Sequence, residues 1–322
     1  MKSLTIKPTA LALLFWFSGS LLAQEPPSNA AQTKRAKSDM SSFIRMTKTS
    51  QGLPNTLDTA VVSYSAGKNG VQVDLIGAVH IGDESYYAQL NQLFDQYDVL
   101  LYELVAPEGT VVTPQTGDRS INPISLLQQG MKSFLGMQSQ LEKIDYTKPH
   151  MVRADMTPEQ IADKMRQRGD TAWTLALSAL VDTLRQQNLA ENNLSSDRSS
   201  VEEMDFLELL GNPHQAKIMF ASQFVTQGAL DQALGSSLNQ LLVVDRNAEA
   251  LRSLQKQIAA GHRKIGIFYG AAHLPDLEHR LTDDFGLKLE DTRWLKAWDL
   301  TKTDQPQSNP LSLLLNLLDE IQ

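Results

Sequence analysis

Two stretches of the chain repeat one local pattern, Gly77-Ala78-Val79-His80-Ile81 and Gly270-Ala271-Ala272-His273-Leu274. Each closes an apolar run that reads as a strand, and each precedes a stretch that reads as a helix. The bare Gly-x-x-His spacing carries little, because 18 Gly and 6 His in 322 residues give about 0.3 occurrences from composition alone. A third match, Gly211-Asn212-Pro213-His214, has no strand before it and is set aside. What raises the other two is their shared context, since open α/β sheets place ligands at the C-terminal edge of parallel strands. The glycines let a neighbour or ligand approach the backbone. A following helix N-terminus disfavours imidazolium, and a neutral imidazole is what a metal ligand or general base requires. The structural alternative is a pair of histidines held by hydrogen bonds at strand ends.

A carboxylate joins them. Glu103 stands in Val99-Leu100-Leu101-Tyr102-Glu103-Leu104-Val105, and a charge in so apolar a run must be paired or bound to a metal. If the 98–105 strand lies beside the 71–79 strand, its end falls near His80. His80, His273 and Glu103 would then form a site for a divalent ion with open positions, of zinc, manganese, cobalt or iron type. The chain has no cysteine, which removes disulfides, thiolate nucleophiles and Cys-ligated metals. Arg246, in Val243-Val244-Asp245-Arg246-Asn247, opens a helical pattern and could hold a substrate carboxylate or a developing oxyanion. Asp155 and Tyr269 are secondary candidates, the first as support near the metal, the second as a phenol at the sheet edge. Tyr86 and Tyr87 read chiefly as packing residues. His150, His214, His262 and His279 lie in no comparable context.

The elements that must position these residues follow from periodicity. Ala60–Ala66, Gly67–Gly70 and Val71–Val79 read as strand, turn and strand, and Asp83 can cap a helix over 84–96. With the strand from Val99 this makes a βαβ unit and predicts a parallel pair. Thr157-Pro158-Glu159-Gln160 is a capping box with proline in the first turn. Helical patterns recur over 172–189, 201–210 and 241–260. Strand character returns over 264–269, a short helix starts at Pro275, and 287–298 reads as a closing strand. The expected class is α/β, bordering on α+β, with a mixed, partly parallel sheet over 59–300 interrupted by a large helical insertion at about 120–240.

The ends read differently. Lys2 and Lys7 precede an apolar run from Ala10 to Leu22, of signal-peptide length and too short to span a bilayer comfortably. Cleavage after Ala23 is expected, and with it export to the periplasm or the extracellular space. Residues 24–58 read as a flexible segment. Residues 301–322 read as a polar linker and an amphipathic helix, with Leu311, Leu314, Leu315, Leu318 and Ile321 on one face, suited to packing on the domain or on a twin subunit. The net charge is −8, with no basic run, so neither nucleic acid nor stable membrane attachment is expected.

The stretches IGAVHIGDESYY…YDVLLYELV, DRNAEAL and FYGAAHLPDLEHRL resemble the TraB/GumN/TIKI family, and DYTKPHMVRADMTPEQI is similar to its bacterial members. The resemblance covers about 60–300. It rests on two Gly-x-x-His motifs, a glutamate on the second strand and an Arg-Asn pair opening a late helix. It implies a metal-dependent, peptidase-like hydrolase with His80, Glu103, Arg246 and His273 at its centre. No HExxH helix is present. Glu103 could be a metal ligand or the general base, and a metal-free hydrolase with a histidine base is a variant of the same reading. A second class stays open: a non-catalytic periplasmic protein that uses these histidines to bind haem, metal or peptide.

Overall fold

The structure is a computed structural model that describes residues 43–67, 70–113, 135–169, 212–225 and 239–301. Strands β1 (Ile44–Lys48) and β2 (Pro54–Ser65) run antiparallel, and β3 (Gln72–Ala78) pairs antiparallel with β2 in turn. β2 is long enough to pair with β1 through its first half and β3 through its second. Its other edge is covered by β9 (Lys288–Asp299), also antiparallel. Beyond β3 the sheet is parallel: β8 (Lys264–Gly270), then β5 (Val99–Tyr102), then β7 (Met151–Arg153). The mixed, partly parallel sheet of an α/β protein is therefore present.

The central parallel strands β3, β8 and β5 are apolar almost throughout and buried on both faces, as strands between two helical layers must be. On one face Ile76, Leu100 and Phe268 pack against α1 (Glu84–Phe94), with Phe220 of α4 (Pro213–Val225) in the same core. On the other face Leu75, Leu101 and Ile267 meet α5 (Asp245–Ala259) and α6 (Leu274–Asp283). Alternate residues of each strand thus feed two separate cores. A small antiparallel pair, β4 (Ile81–Gly82) with β6 (Gln138–Ser139), leads into a single turn, α2 (Gln140–Lys143). The capping box at α3 (Pro158–Arg168) forms as its sequence requires: the Gln160 backbone N–H donates to Thr157 Oγ1, and the Gln160 side chain accepts from the Thr157 N–H.

Three expectations are corrected. β5 does not lie beside β3, because β8, arriving from far along the chain, occupies the position between them. A βαβ crossover leaves room for such an insertion, and local sequence carries no trace of it. Residues 44–48 and 54–58, read within a flexible segment, belong to the sheet. Their polar residues pair across strands: Arg45 Nε donates to Asp58 at 3.1 Å and its guanidinium sits over the Trp294 ring. Within the span 120–240, the three residues of β7 return to the main sheet between α2 and α3. Asp83 occupies the N-cap position of α1 without capping it; its carboxylate accepts instead from the Asp299 N–H at 2.7 Å. The signal segment 1–23, the C-terminal helix within 302–322 and the helical patterns at 172–189 and 201–210 lie outside the described residues.

Candidate active site

The parallel strands β3, β8, β5 and β7 end along one edge, and the candidate residues come immediately after those ends. His80 follows β3 by two residues, Glu103 follows β5 directly, Asp155 follows β7 by two, and His273 closes a short 3-10 turn after β8. Arg246 comes from the first turn of α5, which is preceded by a π-helical turn, Gln240–Val244. Four separate strand ends and one helix start therefore converge.

Arg246 ties the carboxylates together. Its Nε donates to Asp155 Oδ1 at 2.9 Å and its Nη2 to Asp155 Oδ2 at 2.6 Å, a two-pronged pair. The same Nη2 donates to Glu103 Oε1 at 2.6 Å, and Nη1 reaches the Leu242 carbonyl at 3.4 Å. Asp155 Oδ1 also accepts the Met156 N–H at 2.8 Å, and Glu103 Oε2 accepts the Gly270 N–H at 2.7 Å. Burial alone would push the Glu103 carboxyl up. The Arg246 guanidinium, with His273 and His80 nearby, overrides it and holds Glu103 well below the usual carboxylate range. The carboxylates in turn push the Arg246 pKa up against its burial.

His273 is 2% exposed, and Asn247 beside it is fully buried. Asn247 Nδ2 donates to the His273 carbonyl and to Asp276 Oδ2, both at 2.9 Å. Those partners only accept, so the amide is fixed with Oδ1 toward the imidazole. The contact of 2.8 Å between Asn247 Oδ1 and His273 Nδ1 is then an Nδ1–H donation. The lone pair of the neutral ring lies on Nε2, which faces Glu103 Oε1 at 3.5 Å. Burial lowers the His273 pKa to about 4, against the attraction of Glu103, so the ring is neutral at pH 7. The expected state is reached, but by desolvation more than by the helix that follows.

Each sequence candidate has a definite place. His80 is partly exposed at this edge, close enough to act electrostatically on both Glu103 and His273. Tyr269 packs edge-on against the His273 ring, at 5.2 Å between centroids, and its hydroxyl donates to the Ala154 carbonyl. That hydrogen is thereby committed to the backbone. Tyr86 and Tyr87 are buried, their hydroxyls on the Gly77 and Val79 carbonyls. Gly77 makes room for protein, not for a ligand: a Cβ there would lie 3.3 Å from the Ala60 carbonyl oxygen and 3.4 Å from Leu274. His150 and His214 bond to carbonyls of Phe94 and Leu300, away from the cluster. Sequence reasoning did not assign Asn247, although it is the second member of the Arg-Asn pair. Nor did it see the Gly270 N–H, which only the strand order brings to Glu103.

Among the described residues no group of three His, Asp or Glu stands ready-made to hold a metal ion. With Asp155 and Glu103 ionised, Arg246 charged and His273 neutral, the buried cluster carries one net negative charge. It offers one uncommitted imidazole lone pair and a carboxylate locked in its ionised form. Compared with known protein families, with curated proteins and with solved structures, the chain matches none, and the functional reading rests on this geometry.

Proposed function

We propose that the chain is an exported, metal-dependent hydrolase that cleaves peptide bonds at the edge formed by β3, β8, β5 and β7. The observation that carries the reading is the contact of the His273 Nε2 lone pair with Glu103 Oε1 while Arg246 occupies the same oxygen. Structural histidines at strand ends have no need of an ionised carboxylate opposite a free lone pair, nor of a second buried residue to set the tautomer.

The donor set suits a divalent ion in its chemistry. His273 has its Nδ1–H anchored on Asn247, the arrangement that orients ligating histidines, and Glu103 is held ionised beside it. His273 and Glu103 would hold zinc, manganese or cobalt, with His80 as the third donor. When bound, such an ion lowers the pKa of water and polarises a carbonyl. Of the two roles open to Glu103, ligand is favoured over general base, because a carboxylate held so far below its ordinary pKa is a poor proton acceptor. Asp155 fixes the Arg246 guanidinium. Nη1, the least engaged nitrogen of that fork, is the donor for charge developing on a substrate oxygen. The N-terminal apolar run supports export, to the periplasm or the extracellular space, and a homo-oligomer through the C-terminal helix belongs to the same proposal.

The test is turnover of an internally quenched peptide library by protein reloaded with zinc, manganese or cobalt. The expected result is activity that falls by about 100-fold or more in Arg246→Lys and in His273→Ala. Wild-type protein that cleaves nothing with any of the three ions overturns the hydrolase, and peptide capture without cleavage is then the mark of a binding protein.

A further inference from the structure

A second polar pair stands beside the His–Glu–Arg cluster and has no part in it. Gln140, the first residue of α2, is 4% exposed. Its backbone N–H donates to the His80 carbonyl at 2.9 Å, and the β4–β6 pairing pins the segment there, with Ile81 opposite Ser139. The Gln140 side chain donates from Nε2 to the Tyr146 hydroxyl at 2.9 Å. Its Oε1 is buried and has no hydrogen-bond partner among the described residues. The Tyr146 ring packs on Tyr102 at 4.7 Å between centroids, and Tyr102 immediately precedes Glu103. The pair thus bridges from the His80 backbone to the start of the Glu103 turn.

Buried acceptors are almost always satisfied, and one left open beside a candidate active site calls for a donor from elsewhere. Tyr146 accepts from Gln140 and keeps its own hydroxyl hydrogen to give, for which no acceptor stands among the described residues. One acceptor and one donor therefore stand uncommitted within a single hydrogen-bonded pair. An extended peptide turns the N–H and the C=O of one residue toward the same side, which is how strands exchange paired hydrogen bonds. We propose that Gln140 and Tyr146 form a positioning subsite for one residue of an extended peptide substrate, Gln140 Oε1 accepting its N–H and the Tyr146 hydroxyl donating to its C=O. The subsite rests on the peptide-hydrolase reading of the adjacent centre and assigns the substrate's backbone, not its side chains, as what is recognised there.

The test reads binding, so that it stands apart from turnover. Capped tetra-alanine and its analogues, with each peptide N–H in turn replaced by an ester oxygen, are titrated into metal-free protein by saturation-transfer NMR. Wild type is expected to bind the peptide about tenfold more tightly than one of the ester analogues, the loss of one buried hydrogen bond. Gln140→Met should erase that preference, while Tyr146→Phe should weaken peptide and ester alike and keep it. Unfolding midpoints of both variants are measured alongside; if Gln140→Met fails to fold, Tyr146→Phe, which deletes one oxygen, decides by its uniform weakening. A wild type that binds no peptide or treats all the ester analogues as the peptide, a Gln140→Met that keeps the preference, or a Tyr146→Phe that binds as wild type overturns the subsite. Wild type that shows the preference yet cleaves nothing when metal-loaded supports the subsite and overturns the hydrolase alone.

Discussion

Arg246→Met removes the guanidinium shared by Glu103 and Asp155 while keeping most of the side-chain volume. Asp155 loses two hydrogen bonds and Glu103 one, leaving each with a single backbone N–H. The Asp155 side chain is fully buried and that of Glu103 is only 10% exposed, so both charges lose their counter-ion and gain little water in its place. Breaking a buried pair in this way costs about 3–5 kcal/mol at pH 7. The sign of the pH dependence is more telling than the size. In the wild type, His273 titrates at about 4 folded and at 6.5 unfolded, so the unfolded chain binds the proton first as pH falls. Stability is then full above pH 6.5 and drops through the window from 6.5 to 4, by up to about 3 kcal/mol. Glu103, also held low, adds to the loss below its ordinary value of 4.5. In Arg246→Met the order reverses: burial raises at least one carboxyl above its unfolded value, and the folded state takes up the proton first. The guanidinium that disfavours imidazolium at His273 is gone as well. Urea unfolding of metal-free protein by circular dichroism, at pH 7 and pH 5, reads both effects. The variant should be less stable at pH 7 and gain stability at pH 5, where the wild type loses it. A loss under about 1 kcal/mol at pH 7, or a variant with the wild-type slope, refutes the buried ion-pair account.

The remaining predictions are local. In nitrogen-15 NMR of the metal-free protein, His273 should remain neutral with the hydrogen on Nδ1 down to about pH 4; a midpoint near 6.5, or a hydrogen on Nε2, contradicts the Asn247 clamp. Asn247→Leu frees the ring and takes a donor from Asp276, so metal affinity should fall about 10- to 100-fold in a chelator competition, and unchanged affinity would show that the clamp does not orient a ligand. Thr157→Ala removes the side-chain half of the α3 capping box and should lower stability by about 1 kcal/mol without altering activity; no change in the unfolding midpoint would mean that α3 does not depend on its cap.

Elements held by local pattern were legible in the sequence. The β2–β3 hairpin with its glycine turn, the helix between β3 and β5, the Thr157 capping box and the strand–turn–helix around His273 all follow from residues close in the chain. Long-range pairing was not legible. Nothing near Val99 announces that β8 will separate β5 from β3, yet that insertion puts the Gly270 N–H on Glu103 and the His273 ring beside it. The pairing of β1 with β2 was hidden for a different reason: its polar residues resemble a linker until Arg45 is seen to meet Asp58 and Trp294 across strands. The candidate site was legible by residue type, because buried Glu and Arg in apolar or helix-start contexts need partners. Who partners whom was not, and the capture of Glu103 and Asp155 by one guanidinium is the finding that changes how the site is read.

The metal content of the protein, purified without a histidine tag and measured by mass spectrometry beside His80→Ala and His273→Ala, tests the central claim most directly. The account predicts close to one divalent ion per chain, lost in both variants while the fold is kept. No ion in the wild type, even after reloading with zinc, manganese and cobalt, contradicts it.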